Sequence, residues 1–187
     1  MFLGDDSQCG SYLLRIRLKK DKLLTFGGFK KGKLISMPAG DYVYVGSANA
    51  QRGATSLALR LGRHATRSGS KRNHAIRREM VKRFHQTGLG AGTPLSVREK
   101  HKHWNIDHFL DLSLAELTAV FVLRTEQPLE RALAEFVEAD PQSQIIEKGL
   151  GANDHPGHTH LLRIDAGDDW WRGLPERLSE RFALHVR

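Results

Sequence analysis

Apolar and polar positions along this chain recur with two different periods. Over Ser11 to Leu18 (SYLLRIRL), Arg15 and Arg17 fall between Leu14, Ile16 and Leu18, the two-residue period of a half-buried strand. Asp41 to Val45 (DYVYV) is rich in aromatic and β-branched residues and predicts a second strand that stops at Gly46. Leu117 to Leu123 (LTAVFVL) is apolar almost throughout, as expected of a strand covered on both faces, and His160 to Ile164 predicts a last strand. Between the first two strands, Leu23 to Phe26 and Leu34 to Met37 flank the turn residues Gly27-Gly28 and the run Lys30-Lys31-Gly32-Lys33. This predicts a hairpin that extends the sheet.

The helical period governs other segments. Ala54 to His64 sets Leu57, Leu59 and Leu61 among Arg60, Arg63 and His64 without proline or β-branched crowding, which predicts a helix. Arg60 and His64 are four residues apart and so leave one face together. A basic helix is expected over about 72–86, followed by a flexible connection from Thr87 to Pro94 that holds Gly88, Gly90 and Gly92. Trp104 to Leu112 has helical spacing. Pro128 suits the first turn of another helix, whose stripe of Leu129, Leu133, Phe136 and Val137 runs through Ala139 and ends at Asp140-Pro141. From Gln142 the chain reads as loop until the last strand, and Trp170 to Phe182 predicts a closing helix. No repeat or low-complexity segment is present.

With 187 residues, 40% of them hydrophobic, the chain can bury one ordinary core but hardly two, so one globular domain with a short tail is expected. The longest apolar runs, such as Ala119 to Leu123, fall far short of the roughly 20 residues of a membrane span. The opening MFLGDDSQCG has no basic lead and places acids where the apolar stretch of an export signal belongs. The single cysteine, Cys9, excludes an intramolecular disulfide framework and is expected as a reduced thiol near a loose terminus. These features point to the cytoplasm.

Charge adds more. Residues 50–105 contain 13 Lys or Arg against Glu79 and Glu99, a balance of +11, whereas residues 106–187 carry 8 basic and 15 acidic side chains, a balance of −7. Such asymmetry suits a polyanionic partner, because each cation that neutralises a phosphate releases counterions. A solvated basic face, or one covered by the acidic C-terminal portion, is the competing interpretation.

The residues able to do chemistry follow in a definite order: Gly10-Ser11-Tyr12, then Tyr42-Val-Tyr44-Val-Gly46-Ser-Ala48, Arg60-x-x-Arg63-His64, His103-Trp104-Asn105-Ile106-Asp107 and Leu129-Glu130. This ordered set, over about Gly10 to Leu162, resembles the GIY-YIG nuclease superfamily. The likeness is closest to its small prokaryotic branch catalogued as domain of unknown function 123. A lone Gly-Tyr pair would carry no weight; the ordering does.

The resemblance implies an α+β fold, a small central antiparallel sheet flanked by helices. The nuclease-like domain would span 10–165 with a basic insertion at about 66–102, and 166–187 would form a C-terminal helical tail. It implies a metal-dependent endonuclease that hydrolyses phosphodiester bonds in DNA, with RNA as an open alternative substrate and no membrane partner. By analogy, Glu130 holds Mg²⁺ or Mn²⁺, an ion that keeps several waters and needs few protein ligands. Tyr12 activates water with Tyr44 close by, Arg60 contacts the scissile phosphate through its planar guanidinium, and His64 donates or relays a proton. A phenol with an ordinary pKa near 10 is a poor base at neutral pH, so Tyr12 in that role requires nearby positive charge. Gly46 would let backbone approach the site or turn the chain into the next segment. Arg63 rivals Arg60, and with Arg67, Lys71, Arg72, Arg77, Arg78, Lys82 and Arg83 it could grip phosphates beside the cut with little base readout. Phe84 is the sole aromatic among them, which gives no support for stacking on single-stranded bases.

The sequence departs from that branch near its C-terminal motif, where Asp154-His155-Pro156-Gly157-His158-Thr159-His160-Leu161 carries histidines in place of the usual cysteines. His155, His158 and His160 lack an evident fourth zinc ligand and are expected as polar loop residues, while Asn153 or His160 is a candidate to complete the site. A non-cleaving nucleic-acid-binding module on the same fold is the alternative to the enzyme.

Overall fold

A computed structural model describes residues 1–91, 100–152 and 157–187. Its centre is a six-stranded sheet. In chain order, strands β1 (Phe2–Gly4), β2 (Gly10–Leu18), β5 (Gly40–Ala48), β6 (Ala115–Arg124), β7 (Ser143–Gln144) and β8 (Leu161–Ile164) lie side by side as β1-β6-β2-β5-β8-β7. All pairings are antiparallel except β1 with β6, which is parallel, so the sheet is mixed and larger than expected, within an α+β fold.

Strand alternation sorts side chains onto two covered faces. Tyr12, Leu14, Ile16, Tyr42, Tyr44, Val120 and Val122 belong to one apolar core with α1 (Leu57–His64), α2 (Arg77–Gln86) and α3 (Asn105–Leu110). Leu13, Val43, Val45, Phe121, Leu123, Leu162 and Ile164 form the other with α4 (Glu130–Glu138) and α5 (Asp168–Phe182). Trp171, Leu174 and Leu178 of α5 are buried there, so the C-terminal helix is part of the packing. Among the described residues, no helix is long and apolar enough to cross a membrane.

Several expectations are corrected. The excursion after β2 forms its own two-stranded sheet, β3 (Lys22–Leu24) with β4 (Ile35–Met37), and does not extend the main one. The strand expected to stop at Gly46 continues to Ala48, because β2 pairs with it as far as Gly10 opposite Ala48. The N-terminus is not loose. The Met1 ammonium donates to the Val120 carbonyl at 3.0 Å, Gly4 N–H donates to the carbonyl of His185, and Arg187 N–H donates to that of Phe2. Cys9 accordingly is buried, its thiol directed at the Thr125 carbonyl. The segment after Gln142, read as loop, contributes the short β7, which its two residues are too few to signal.

Candidate functional site

The site is built where β2 and β5 cross the end of α1. Tyr12 on β2 sits opposite Gly46 on β5, and Leu14 sits opposite Tyr44, so the two tyrosines share a face with ring centroids 6.4 Å apart. Gly46 is required by this packing. A Cβ there would lie 2.5 Å from the Tyr12 hydroxyl oxygen, closer than any side chain tolerates. The Tyr12 hydroxyl reaches α1, where it is joined to Nε2 of His64 by a 2.8 Å hydrogen bond. Both side chains are almost wholly buried, each residue only 1% exposed.

That burial sets their protonation. Tyr12 is pushed well above its ordinary value of 10 by desolvation and by Tyr44, with the Arg60 guanidinium acting against them. His64 is lowered to about 3 by desolvation, although the Asp107 carboxylate pulls the other way. Both groups are therefore neutral near pH 7.

Arg60, one turn before His64, turns to the open side. Its Nη1 donates to the Ser47 carbonyl at 2.9 Å and its guanidinium stacks 4.5 Å from the Trp104 ring centroid. Arg63 also stacks on Trp104, at 4.9 Å, but its Nη2 donates to Asp107 Oδ2 at 2.8 Å and to the His101 carbonyl. Asp107 is fully buried and accepts N–H bonds from His103 and Trp104, which satisfies backbone donors at the start of α3. Burial alone would raise its pKa; the Lys100 ammonium and these backbone N–H groups lower it to about 2. Asp107 thus ties down Arg63 and leaves Arg60 as the arginine of the site.

Glu130 comes from the other side of the sheet, as the first residue of α4. One carboxylate oxygen, Oε2, accepts from the Ser47 hydroxyl, and the other, Oε1, is 3.4 Å from Nδ1 of His160. Tyr44, Ser47, Arg60, Trp104, Glu130 and His160, with Asn49, Thr55 and Asn105, line one cleft of about 540 Å³. Tyr12 and His64 lie behind its wall.

The family described as Domain of unknown function DUF123 matches residues 11–181. The chain belongs to the DUF123 family. No curated protein and no solved structure matches it.

The DUF123 match takes in every residue of the cleft and both members of the buried pair behind it. Of the five residues expected to do chemistry, Tyr44, Arg60 and Glu130 border the cleft, and Tyr12 and His64 support it from within. The anticipated phosphate grip is different. Arg67 is a correction: its side chain is 6% exposed and is consumed by the Arg72 and Ala115 carbonyls, Glu116 and Nδ1 of His74. Lys71 is half-exposed and paired with Asp111, and Arg77 donates to the Thr66 hydroxyl. Arg72, Arg78, Lys82 and Arg83 are exposed, and none of this basic set lines the cleft.

Sequence reasoning assigned no role to Ser47 or Trp104 of this DUF123 chain. Both stand inside the quoted motifs, but only the fold shows that the Ser47 hydroxyl holds Glu130 and that Trp104 carries two guanidinium groups. His158 lies 3.6 Å from Glu138 and 3.9 Å from Glu135, whereas His160 faces Glu130, so these two imidazoles do not converge. Asn153 and His155 lie outside the described residues, as does the end of the glycine-containing connection at Gly92 to Pro94. Among the described residues, no three His, Cys, Asp or Glu side chains cluster as ligands for one metal ion.

Proposed function

We propose that this DUF123 protein is a divalent-cation-dependent endonuclease that hydrolyses phosphodiester bonds in DNA. One observation carries the reading: Tyr44, Arg60 and Glu130 border a single cleft, with the neutral Tyr12–His64 pair directly behind it. The resemblance of the ordered motifs to GIY-YIG nucleases supports the same chemistry. One cysteine among 187 residues is the low usage expected in a reducing compartment such as the cytoplasm.

Arg60 is suited to bind the phosphate. Its anchoring to the Ser47 carbonyl and its stacking on Trp104 hold the guanidinium in the cleft, with further N–H donors for phosphate oxygens. The Glu130 carboxylate fits a hard dication, since it is a partly exposed oxygen donor oriented by Ser47, and an ion that retains water and shares substrate oxygens needs only one or two such ligands. A dication bound there supplies Lewis-acid stabilisation of charge developing on the phosphate.

The buried pair gives protons a route. Tyr12 keeps its own proton in the resting protein, so it does not act as a standing phenolate. It would accept a proton from the attacking water as it passes its own to Nε2 of His64; Asp107 favours the positive charge this creates, while burial, Lys100, Arg60 and Arg63 oppose it, so the transfer has to be concerted with attack on the phosphate. Tyr44 walls the place where these events meet.

Purified wild-type protein and Glu130→Ala, assayed on labelled single-stranded, duplex and branched DNA with Mg²⁺, Mn²⁺ or EDTA, test the reading. Cutting by the wild type alone, abolished by EDTA, is expected. Binding by both proteins with no cleavage under any condition overturns the enzyme in favour of a binding module, and cleavage of RNA in preference to DNA replaces the substrate.

A further inference from the structure

The carboxylate of Glu130 does not stand by itself in the cleft. Nδ1 of His160 is 3.4 Å from Oε1, the carboxylate oxygen that Ser47 does not engage. Two donor atoms each about 2.1 Å from one ion, at tetrahedral or octahedral angles, lie roughly 3.0 to 3.5 Å apart. The observed separation falls in that interval.

His160 is also held as a ligand should be. Its N–H donates to the Leu150 carbonyl at 2.9 Å, its carbonyl accepts from Val45 N–H at 2.8 Å, and the residue is only 2% exposed. Gly151 closes over it with a backbone φ of +84°, and a Cβ at that position would press within 3.3 Å of the His160 Cβ and 3.2 Å of the Tyr44 ring. The backbone of His160 is therefore fixed by the central sheet through β5 on one side and by a tight turn on the other, and burial restricts the space open to its imidazole.

We infer that His160 and Glu130 together ligate one dication, and that this carboxylate–imidazole pair takes a transition-metal ion such as Mn²⁺ in preference to Mg²⁺. The inference rests on the reading of Glu130 as the cation-holding residue and specifies its partner and its metal. Imidazole is a poor ligand for Mg²⁺, which favours carboxylate, carbonyl and water oxygens; Mn²⁺ shares that liking for oxygen but accepts a nitrogen donor more readily, and affinity for such a mixed site rises from Mn²⁺ along the first-row series. Two protein ligands leave the remaining positions to water and to the oxygens of a bound phosphate. The Ser47 hydroxyl orients the carboxylate from behind, as outer partners of metal ligands commonly do.

Calorimetric titration of the full chain with MnCl₂ and with MgCl₂, in the absence of nucleic acid, tests this for wild type, His160→Gln and Glu130→Gln, with circular dichroism to verify folding. Wild type is expected to bind Mn²⁺ more tightly than Mg²⁺, and His160→Gln to lose about tenfold or more in Mn²⁺ affinity while its Mg²⁺ affinity changes little. If Mn²⁺ affinity falls in Glu130→Gln but is unchanged in His160→Gln, the cation site stands without His160 and the inference is overturned. If neither variant alters it, the reading of Glu130 fails as well. Pulsed EPR of Mn²⁺-loaded wild type requires no variant: coupling to a directly bonded nitrogen is expected, and its absence overturns the inference even if His160→Gln does not fold.

Discussion

The Tyr12 hydroxyl and Nε2 of His64, 52 residues apart in the chain, share a 2.8 Å hydrogen bond inside the core, with the ring of Tyr44 against both. Each is the other's polar partner in a region where an unpaired group would be costly. The bond ties β2 to α1, the helix that carries Arg60 into the cleft. Stability and the proposed proton route thus depend on the same pair of atoms.

Tyr12→Phe keeps the ring and deletes the hydroxyl, leaving Nε2 of His64 buried without a partner. A loss of about 1 to 3 kcal/mol is expected, read as a shift in the urea midpoint. Cleavage should fall far more than nucleic-acid binding. Unchanged cleavage in this variant removes Tyr12 from the proton route.

Acid should weaken the protein before its carboxylates titrate. Burial lowers His64 to about 3, and burial together with Arg67 lowers His74 to about 4, both from an ordinary 6.5. The unfolded chain therefore takes up protons that the native state refuses as pH falls below 6.5. Stability is full above that value and declines beneath it, with a slope on the order of 1.4 kcal/mol per pH unit for each such proton. Asp107 and Asp111, both lowered to about 2 from 3.8, add a second loss below pH 3.8. Urea midpoints followed from neutral pH downward check this, and a flat profile until the carboxylate range would show that the two histidines titrate normally.

Gly46→Ala introduces a methyl group 2.5 Å from the Tyr12 hydroxyl oxygen. Overpacking of about 1 to 3 kcal/mol is expected, together with loss of cleavage because Tyr12 must move off His64. Thermal melting and the cleavage assay should both respond. A variant of native stability would mean that the two strands can part at this point without cost.

Arg60 and Arg63 should separate by function despite sharing Trp104. Arg60→Lys loses the planar fork in the cleft and should slow cleavage by about a hundredfold or more, with little effect on folding. Arg63→Lys should act mainly on stability, since it disturbs the contacts of buried Asp107. Equal loss of cleavage in both would reinstate Arg63 as a phosphate ligand.

Among the basic residues of the middle segment, exposure predicts the outcome of substitution. Arg67→Ala removes the partner of one Glu116 oxygen and the donor to several carbonyls and should destabilise by about 1 to 3 kcal/mol without altering the salt dependence of DNA binding in the folded protein. Arg78→Ala with Lys82→Ala should leave stability nearly unchanged and reduce the slope of log affinity against log salt by about 0.9 for each phosphate contact removed. Binding titrations at several salt concentrations separate the two. An unaltered slope in the double variant would mean that the exposed face of α2 does not meet DNA.

Much of the fold was legible in order and type. β2, β5, β6 and β8 announce themselves through alternation or β-branched runs, α4 through an apolar stripe at helical spacing, and α1 through the absence of proline and β-branched crowding, because these local preferences follow from backbone geometry that each segment carries within itself. β1 and the two-residue β7 were not, since strands so short acquire their conformation from the neighbour that supplies their hydrogen bonds. Gly46 was misread as a strand end because its meaning lies in the Tyr12 ring across from it.

What the sequence by itself determined is the ordered set of reactive side chains, the basic middle segment and the segments that become helix or strand. Only the tertiary structure decided that Arg60 faces the cleft while Arg63 is held by Asp107, that Arg67 is interior, that Tyr12 and His64 are a neutral buried pair, and that Glu130 meets Ser47 and His160. Periodicity is a property of neighbours along the chain, whereas burial, pairing and protonation depend on groups that folding brings together from distant positions, and no local pattern records which of two arginines three residues apart will find a buried carboxylate.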